Sequence, residues 1–141
     1  MADEPSPQSS ASPQPSPSPS SGPFDHLKWR PVGPAASGGR VAAVAGTAAD
    51  AFLYYIGAAG GGVWKSANGG STWSPVFDKE GIAAIGAVAI APSDEKIVWV
   101  GTGEANPRND VSYGNGVYKS IDAGKTWQHL GLDATRQISR I

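Results

Sequence analysis

Beyond residue 23, short apolar runs alternate with glycine-rich and polar breaks, and none of the runs carries helix caps. Val41–Ala45 and Ile85–Ile90 are apolar and of strand length. Phe52–Ile56 and Ile97–Val100 are rich in aromatic and β-branched residues, which suit a pleated, half-buried surface. Between these runs, Gly46 to Asp50 and Pro92-Ser93-Asp94 are turn-like. Val63–Ser66 and Val117–Ser120 read as third strands. Hairpin turns follow around Asn68 and Asp122, with fourth strands expected to begin at Thr72-Trp73 and Thr126-Trp127. The pattern predicts an all-β chain.

The runs repeat. Ser66-Ala67-Asn68-Gly69-Gly70-Ser71-Thr72-Trp73 aligns with Ser120-Ile121-Asp122-Ala123-Gly124-Lys125-Thr126-Trp127, an offset of 54 (120 − 66). Gly62-Val63-Trp64-Lys65 aligns with Gly116-Val117-Tyr118-Lys119 at the same offset. Upstream the offset is 44: Arg40–Ala45 aligns with Ala84–Ala89, and Tyr54–Gly57 with Val98–Gly101. The second copy therefore carries 54 − 44 = 10 extra residues, within Thr102–Tyr113. Three to four antiparallel strands in a repeat of roughly 45–55 residues are the signature of a β-propeller blade. The expected boundaries are 39–79 for blade 1 and 82–130 for blade 2. Gln137–Ile141 reads as the first strand of a third blade. Since a closed ring takes about four to eight blades, the reading is an N-terminal fragment of a longer propeller, or a truncated product.

Composition adds the tail. Residues 1–23 hold seven of the 12 prolines, mostly in Pro-Ser alternation, and are expected to be a disordered linker ahead of the propeller part at 24–141. The acidic start, Met1-Ala2-Asp3-Glu4, is not followed by an apolar run, so no secretory signal is visible. With 11 Lys plus Arg against 12 Asp plus Glu, the net charge of −1 offers no broad field for nucleic acid. No apolar stretch is long enough for a transmembrane helix. The absence of cysteine removes disulfides, thiolate metal sites and a cysteine nucleophile. His26 and His129 are isolated, so no metal and no cofactor is expected.

The repeated Ser-x-Asp/Asn-x-Gly-x-Thr-Trp pattern resembles the Asp-box, or BNR repeat. Asn68 and Asp122 would accept backbone N–H groups within their turns. Gly70 and Gly124 would supply conformations that resist a Cβ, and Trp73 and Trp127 would cover the hairpins. The resemblance implies a structural role for Ser66, Asn68, Gly70, Thr72, Trp73, Ser120, Asp122, Gly124, Thr126 and Trp127. Leu27–Pro34, Ser37–Val41, Gly101–Asn109 and Gly114–Ser120 resemble large bacterial propellers of the glycosyl-hydrolase-like and sortilin-N-terminal-like group. That resemblance implies a glycoside hydrolase-like parent, or alternatively a non-catalytic sortilin-like or assembly-factor-like binding propeller. It implies an extracytoplasmic parent and a glycan or protein ligand. A third reading is a truncated product without independent function. Remaining blades, or self-association, would complete the ring, and Lys28–Val32 would be a strand closing it.

For chemistry, a xyloglucanase-type mechanism needs paired carboxylates across a glycan cleft. The resemblance places one of them shortly before the Gly-Gly-aromatic strand of the first blade, where this chain has Ala59. A sialidase-like site would need an arginine cluster and a tyrosine; Arg40, Arg108, Tyr113 and Arg140 are present, but two blades do not assemble one. The inserted loop concentrates polar groups, and Glu104, Arg108 and Tyr113 are its candidate ligand-binding residues. The plainer expectation is that Glu104 and Arg108 pair with each other or with backbone and shape the loop. Gly60-Gly61-Gly62 lacks the helix and Lys-Ser/Thr of a phosphate loop. Trp29, Trp64 and Trp99 sit at strand positions, where core packing is favoured over sugar stacking.

Overall fold

Among the described residues the fold is two four-stranded antiparallel sheets, each a simple meander. The structure is a computed structural model and describes residues 40–106, 109 and 111–141. The expected linker at 1–23, the strand at Lys28–Val32 and Arg108 lie outside the described residues. Sheet 1 comprises β1 (Val41–Gly46), β2 (Tyr54–Ala58), β3 (Gly62–Ser66) and β4 (Ser74–Pro75). Sheet 2 comprises β5 (Ile85–Ala91), β6 (Asp94–Thr102), β7 (Val117–Ser120) and β8 (Gln128–His129). No helix occurs among the described residues, so none there is long and apolar enough to cross a membrane.

The sequence repeat is also a repeat of register. Ala43 pairs with Gly57 and Val44 with Ile56; at the offset of 44, Ala87 pairs with Gly101 and Val88 with Val100. The same irregularity recurs between Val41 and Ala43 and between Ile85 and Ala87. Trp64 pairs with Pro75, as Tyr118 pairs with His129.

The starts of β2, β4, β6 and β8 differ from the sequence expectation, each for a local reason. β2 begins at Tyr54, not Phe52, because the Phe52 amide donates to Asp50 Oδ1 (2.8 Å) and is held in a turn. The fourth strands begin two residues late, at Ser74 and Gln128. The amides of Thr72 and Thr126 are captured by Asn68 and Asp122, 2.9 Å in each case. β6 begins three residues early, at Asp94, because Pro92-Ser93 alone makes the turn and Asp94 already pairs with Ala91. Gln137–Ile141 forms no strand; a ladder needs a neighbour, and none pairs with it among the described residues.

The core lies where sheet 2 packs on sheet 1. Leu53, Tyr55, Val63 and Phe77 meet Ile85, Val88, Val98, Val100 and Tyr118. The inner strands approach closely at Gly57, where a Cβ would stand 2.5 Å from Ile85 Cγ2. At the outer end, Phe77 packs edge-on against Tyr118 and Trp127, both at 5.1 Å between ring centroids. The Trp127 indole N–H donates to the Val76 carbonyl (2.6 Å), and the Tyr55 hydroxyl donates to the Ala123 carbonyl (3.0 Å).

Candidate functional site

The ends of β2 and β6 converge on one set of loops. Ala59 N–H donates to the Arg40 carbonyl (2.9 Å) and Gly103 N–H to the Ala84 carbonyl (2.7 Å). Gly62 N–H donates to the Ala83 carbonyl (2.9 Å). Residues 83–84 thus tie the Gly60–Gly62 turn of sheet 1 to the loop that leaves β6. Beside them a cavity of about 340 Å³ is lined by Gly61, Gly62, Phe77, Asp78, Gly81, Ile82 and Ala83.

Glu104 is 3% exposed in this loop cluster. Its carboxylate is ion-paired with the Arg40 guanidinium, and its amide donates to the Ser112 carbonyl (3.0 Å). A carboxylate this deeply buried requires a cation or a set of donors, because its dehydration is otherwise uncompensated. Arg40, immediately before β1, supplies the cation. The sequence singles out Glu104 and expects it to pair with Arg108 or with backbone; Arg108 lies outside the described residues. Among the described residues the pairing runs to Arg40, 64 positions upstream (104 − 40).

Tyr113, in the same loop, is 56% exposed, and the Arg136 guanidinium lies 4.8 Å from its ring centroid. The loop then returns through a hydrogen-bonded corner. Thr102 Oγ1 donates to the Gly116 carbonyl (2.7 Å) and accepts from the Asn115 amide (2.9 Å). Asn115 Nδ2 donates to the Tyr118 hydroxyl (2.9 Å). His129 Nε2 lies 2.7 Å from the Asn115 carbonyl and 3.7 Å from an Asp133 carboxylate oxygen. The loop that carries Glu104 and Tyr113 is therefore fixed to β7 and β8. Ala59 is buried and brings no carboxylate to the cluster. No group of three or more His, Cys, Asp or Glu residues converges for a metal among the described residues.

The two repeated turns lie elsewhere, at the outer side of the sheets. Asn68 Oδ1 accepts from the Thr72 amide and from the Ser66 hydroxyl (3.0 Å), and Nδ2 donates to Thr72 Oγ1 (2.9 Å). Asp122 Oδ1 accepts from the amides of Lys125 (3.0 Å) and Thr126, and from the Ser120 hydroxyl (2.8 Å). Its Oδ2 accepts from the Thr126 hydroxyl (2.6 Å). That hydroxyl bond, then the Thr126 amide, hold the Asp122 carboxyl down at about 2. Ser66 and Ser120 accept from the amides of Gly70 (2.9 Å) and Gly124 (2.8 Å), both at positive φ. The Trp73 and Trp127 rings stand 3.6 and 3.5 Å from the Cβ positions of Gly70 and Gly124.

Between the outer ends of the sheets lies a second cleft, of about 460 Å³, that the sequence did not disclose. Lys65, Lys79, Lys125, Asp78, Glu80 and Trp127 are among the residues that line it. Lys65 Nζ donates to the Ala123 carbonyl (3.1 Å). Burial, and next the Lys125 ammonium, pull Lys65 below the usual lysine range, with Glu95 acting in the opposite sense. Burial, with Glu95 and Asp122, pushes Tyr55 up to about 12. The residues come from two repeats, so only the folded arrangement assembles them.

No protein-family model matches this chain, and no curated protein matches it. Among solved structures, it is similar to an ancestral GH74 enzyme, with a TM-score of 0.57 and 24% identity. The match covers 70% of this chain and 13% of that enzyme. A GH74 enzyme of Niastella koreensis gives a TM-score of 0.49 at 25% identity, over 64% of this chain and 14% of that one. The chain thus spans about one eighth of the length of the first of these structures.

Proposed function

We propose that this chain is part of a β-propeller of glycoside hydrolase-like type, and that its Glu104–Tyr113 loop faces a glycan. Blade 1 would span about 39–79 and blade 2 about 82–130, with 137–141 opening a third. The repeated turns at Asn68 and Asp122 would be Asp-boxes that staple the blade periphery. The similarity to an ancestral GH74 enzyme, where GH denotes glycoside hydrolase, supports this reading at the level of fold.

The observation that carries the placement of the site is the ion pair of the buried Glu104 with the partly exposed Arg40, on loops anchored by both sheets, with an exposed tyrosine on the same loop as Glu104. The partly exposed Arg40 guanidinium, held in place by the buried Glu104 carboxylate, can donate to sugar hydroxyls with little reorganisation, and an aromatic face can stack on a pyranose ring. Hydrolysis needs a second carboxylate across the cleft. With Ala59 at the position the family pattern assigns to one, this segment is expected to bind without cleaving.

Calorimetric titration of the chain with a panel of neutral oligosaccharides tests the reading. Saturable binding is expected for at least one, weakened about tenfold or more in Tyr113→Ala. No saturable binding across the panel, or equal binding by the variant, overturns the site.

A further inference from the structure

Lys65 is a half-buried amine held at a fixed point. Its Nζ donates to the Ala123 carbonyl (3.1 Å), the Tyr55 hydroxyl donates to the same oxygen (3.0 Å), and the Tyr55 ring centroid lies 5.5 Å from Nζ. Beside it opens the outer cleft of about 460 Å³, within the roughly 300–1,000 Å³ of small-molecule sites. The lining residues run from Lys65 to Trp127, so both walls belong to the two sheets and the turns that join their strands. The walls are tied together. The Trp127 indole donates to the Val76 carbonyl, its ring packs edge-on against Phe77, and Val76 Cγ2 lies 3.4 Å from where a Gly124 Cβ would be.

Three amino groups, those of Lys65, Lys79 and Lys125, line this cleft. Asp78 and Glu80 line it too, yet no carboxylate among the described residues is ion-paired with any of the three. Burial, and next the Lys125 ammonium, pull Lys65 below the usual lysine range, with Glu95 opposing. A larger share of Lys65 is then the neutral amine, the form with a lone pair to give. The Lys125 ammonium stays uncompensated and attracts an anion.

We propose that the outer cleft captures a small aldehyde bearing an anionic group, as an imine on Lys65 with the anionic group held by Lys125. The neutral Lys65 amine attacks the aldehyde carbon; a C–N bond forms and a proton passes from nitrogen to the carbonyl oxygen. The carbinolamine then loses its hydroxyl as water, taking one proton from solvent, and leaves a protonated imine. Nothing is oxidised or reduced. The protonated imine keeps one N–H, enough for the bond to the Ala123 carbonyl, so the clamp on that turn survives the reaction. The inference goes beyond the glycan reading and does not rest on it.

Lys119 is the built-in comparison. It holds the equivalent place in sheet 2, 4.9 Å from the Trp99 ring centroid, but lines no part of the cleft. The test is borohydride trapping on the full chain. The chain is incubated with pyridoxal phosphate, reduced and digested, and the label on each lysine is read by mass spectrometry. Lys65 is expected to carry at least about fivefold more label than Lys119 or any other lysine. Pyridoxal, which lacks the phosphate, is expected to label Lys65 about threefold less or weaker still, and Lys125→Gln to remove that difference. Circular dichroism checks that the variant is folded, with Lys125→Ala as its replacement. Label spread evenly over the lysines, or Lys119 taking as much as Lys65, overturns the proposal. So does equal labelling by pyridoxal, or a phosphate advantage that persists without Lys125.

Discussion

Gly57→Ala measures how closely the two sheets are packed. The added Cβ would stand 2.5 Å from Ile85 Cγ2, 3.0 Å from Val88 Cγ2 and 3.2 Å from Ile85 Cβ. Ile85 is fully buried and branched at Cβ, so its methyl group cannot swing aside without moving the strand. Overpacking of this kind costs about 1–3 kcal/mol. Replacing glycine by alanine recovers about 0.5–1 kcal/mol, chiefly through the unfolded chain. The net expectation is a loss of about 1–2 kcal/mol, each kcal/mol lowering the melting temperature by about 4–8 °C. Urea denaturation followed by tryptophan fluorescence would give the value. Ile85→Ala removes the obstructing methyl and should itself cost about 2–5 kcal/mol. Combined with Gly57→Ala, the loss should fall short of the sum by about 1 kcal/mol or more. The matching change at Gly101 meets Ile138 Cγ2, also at 2.5 Å, but that residue lies outside any strand and can yield, so Gly101→Ala should cost less. A neutral Gly57→Ala, or strict additivity with Ile85→Ala, would refute the packing argument.

Two further predictions concern the second turn. Asp122 has a folded pKa of about 2 against an ordinary 3.8, so the stability it lends is present above about 3.8 and lost as pH falls toward 2. Thermal melts of Asp122→Asn should be flatter than those of the parent over that window, and an unchanged pH profile would count against the hydrogen-bond assignment. Ala123 sits at φ 60°, a left-handed conformation that costs a residue with a Cβ roughly 1–2 kcal/mol. Ala123→Gly should therefore raise stability by up to about 1 kcal/mol after the greater freedom of glycine in the unfolded chain, and a lower melting temperature would contradict the reading.

The strands were legible because apolar runs of strand length and a repeated turn both survive in the sequence. Val41–Ala45 and Ile85–Ile90 announce β1 and β5 with no tertiary knowledge. Strand limits were misread where a side chain competes for a backbone amide. Asp50, Asn68 and Asp122 each divert amides that a propensity reading assigns to, or just ahead of, a strand. The Arg40 partner of Glu104 was not legible, because nothing in local spacing brings the start of β1 to the loop after β6. Phe77 was overlooked although a signal existed: Val76-Phe77 is an apolar pair between Pro75 and Asp78, and its ring closes the outer end of the core. The lysine-rich outer cleft had no signal, since Lys65 and Lys125 come from different repeats and meet only when the second turn folds over the first sheet.

The most direct test of the proposed site is an amide NMR titration of the whole chain with the tightest-binding oligosaccharide. The account predicts saturable shifts grouped at Gly60–Gly62, Gly103–Glu104 and Ser112–Asn115, with the outer turns at 66–73 and 120–127 unmoved. Shifts confined to those outer turns, or none at saturating sugar, would contradict a glycan-facing role for the loop end.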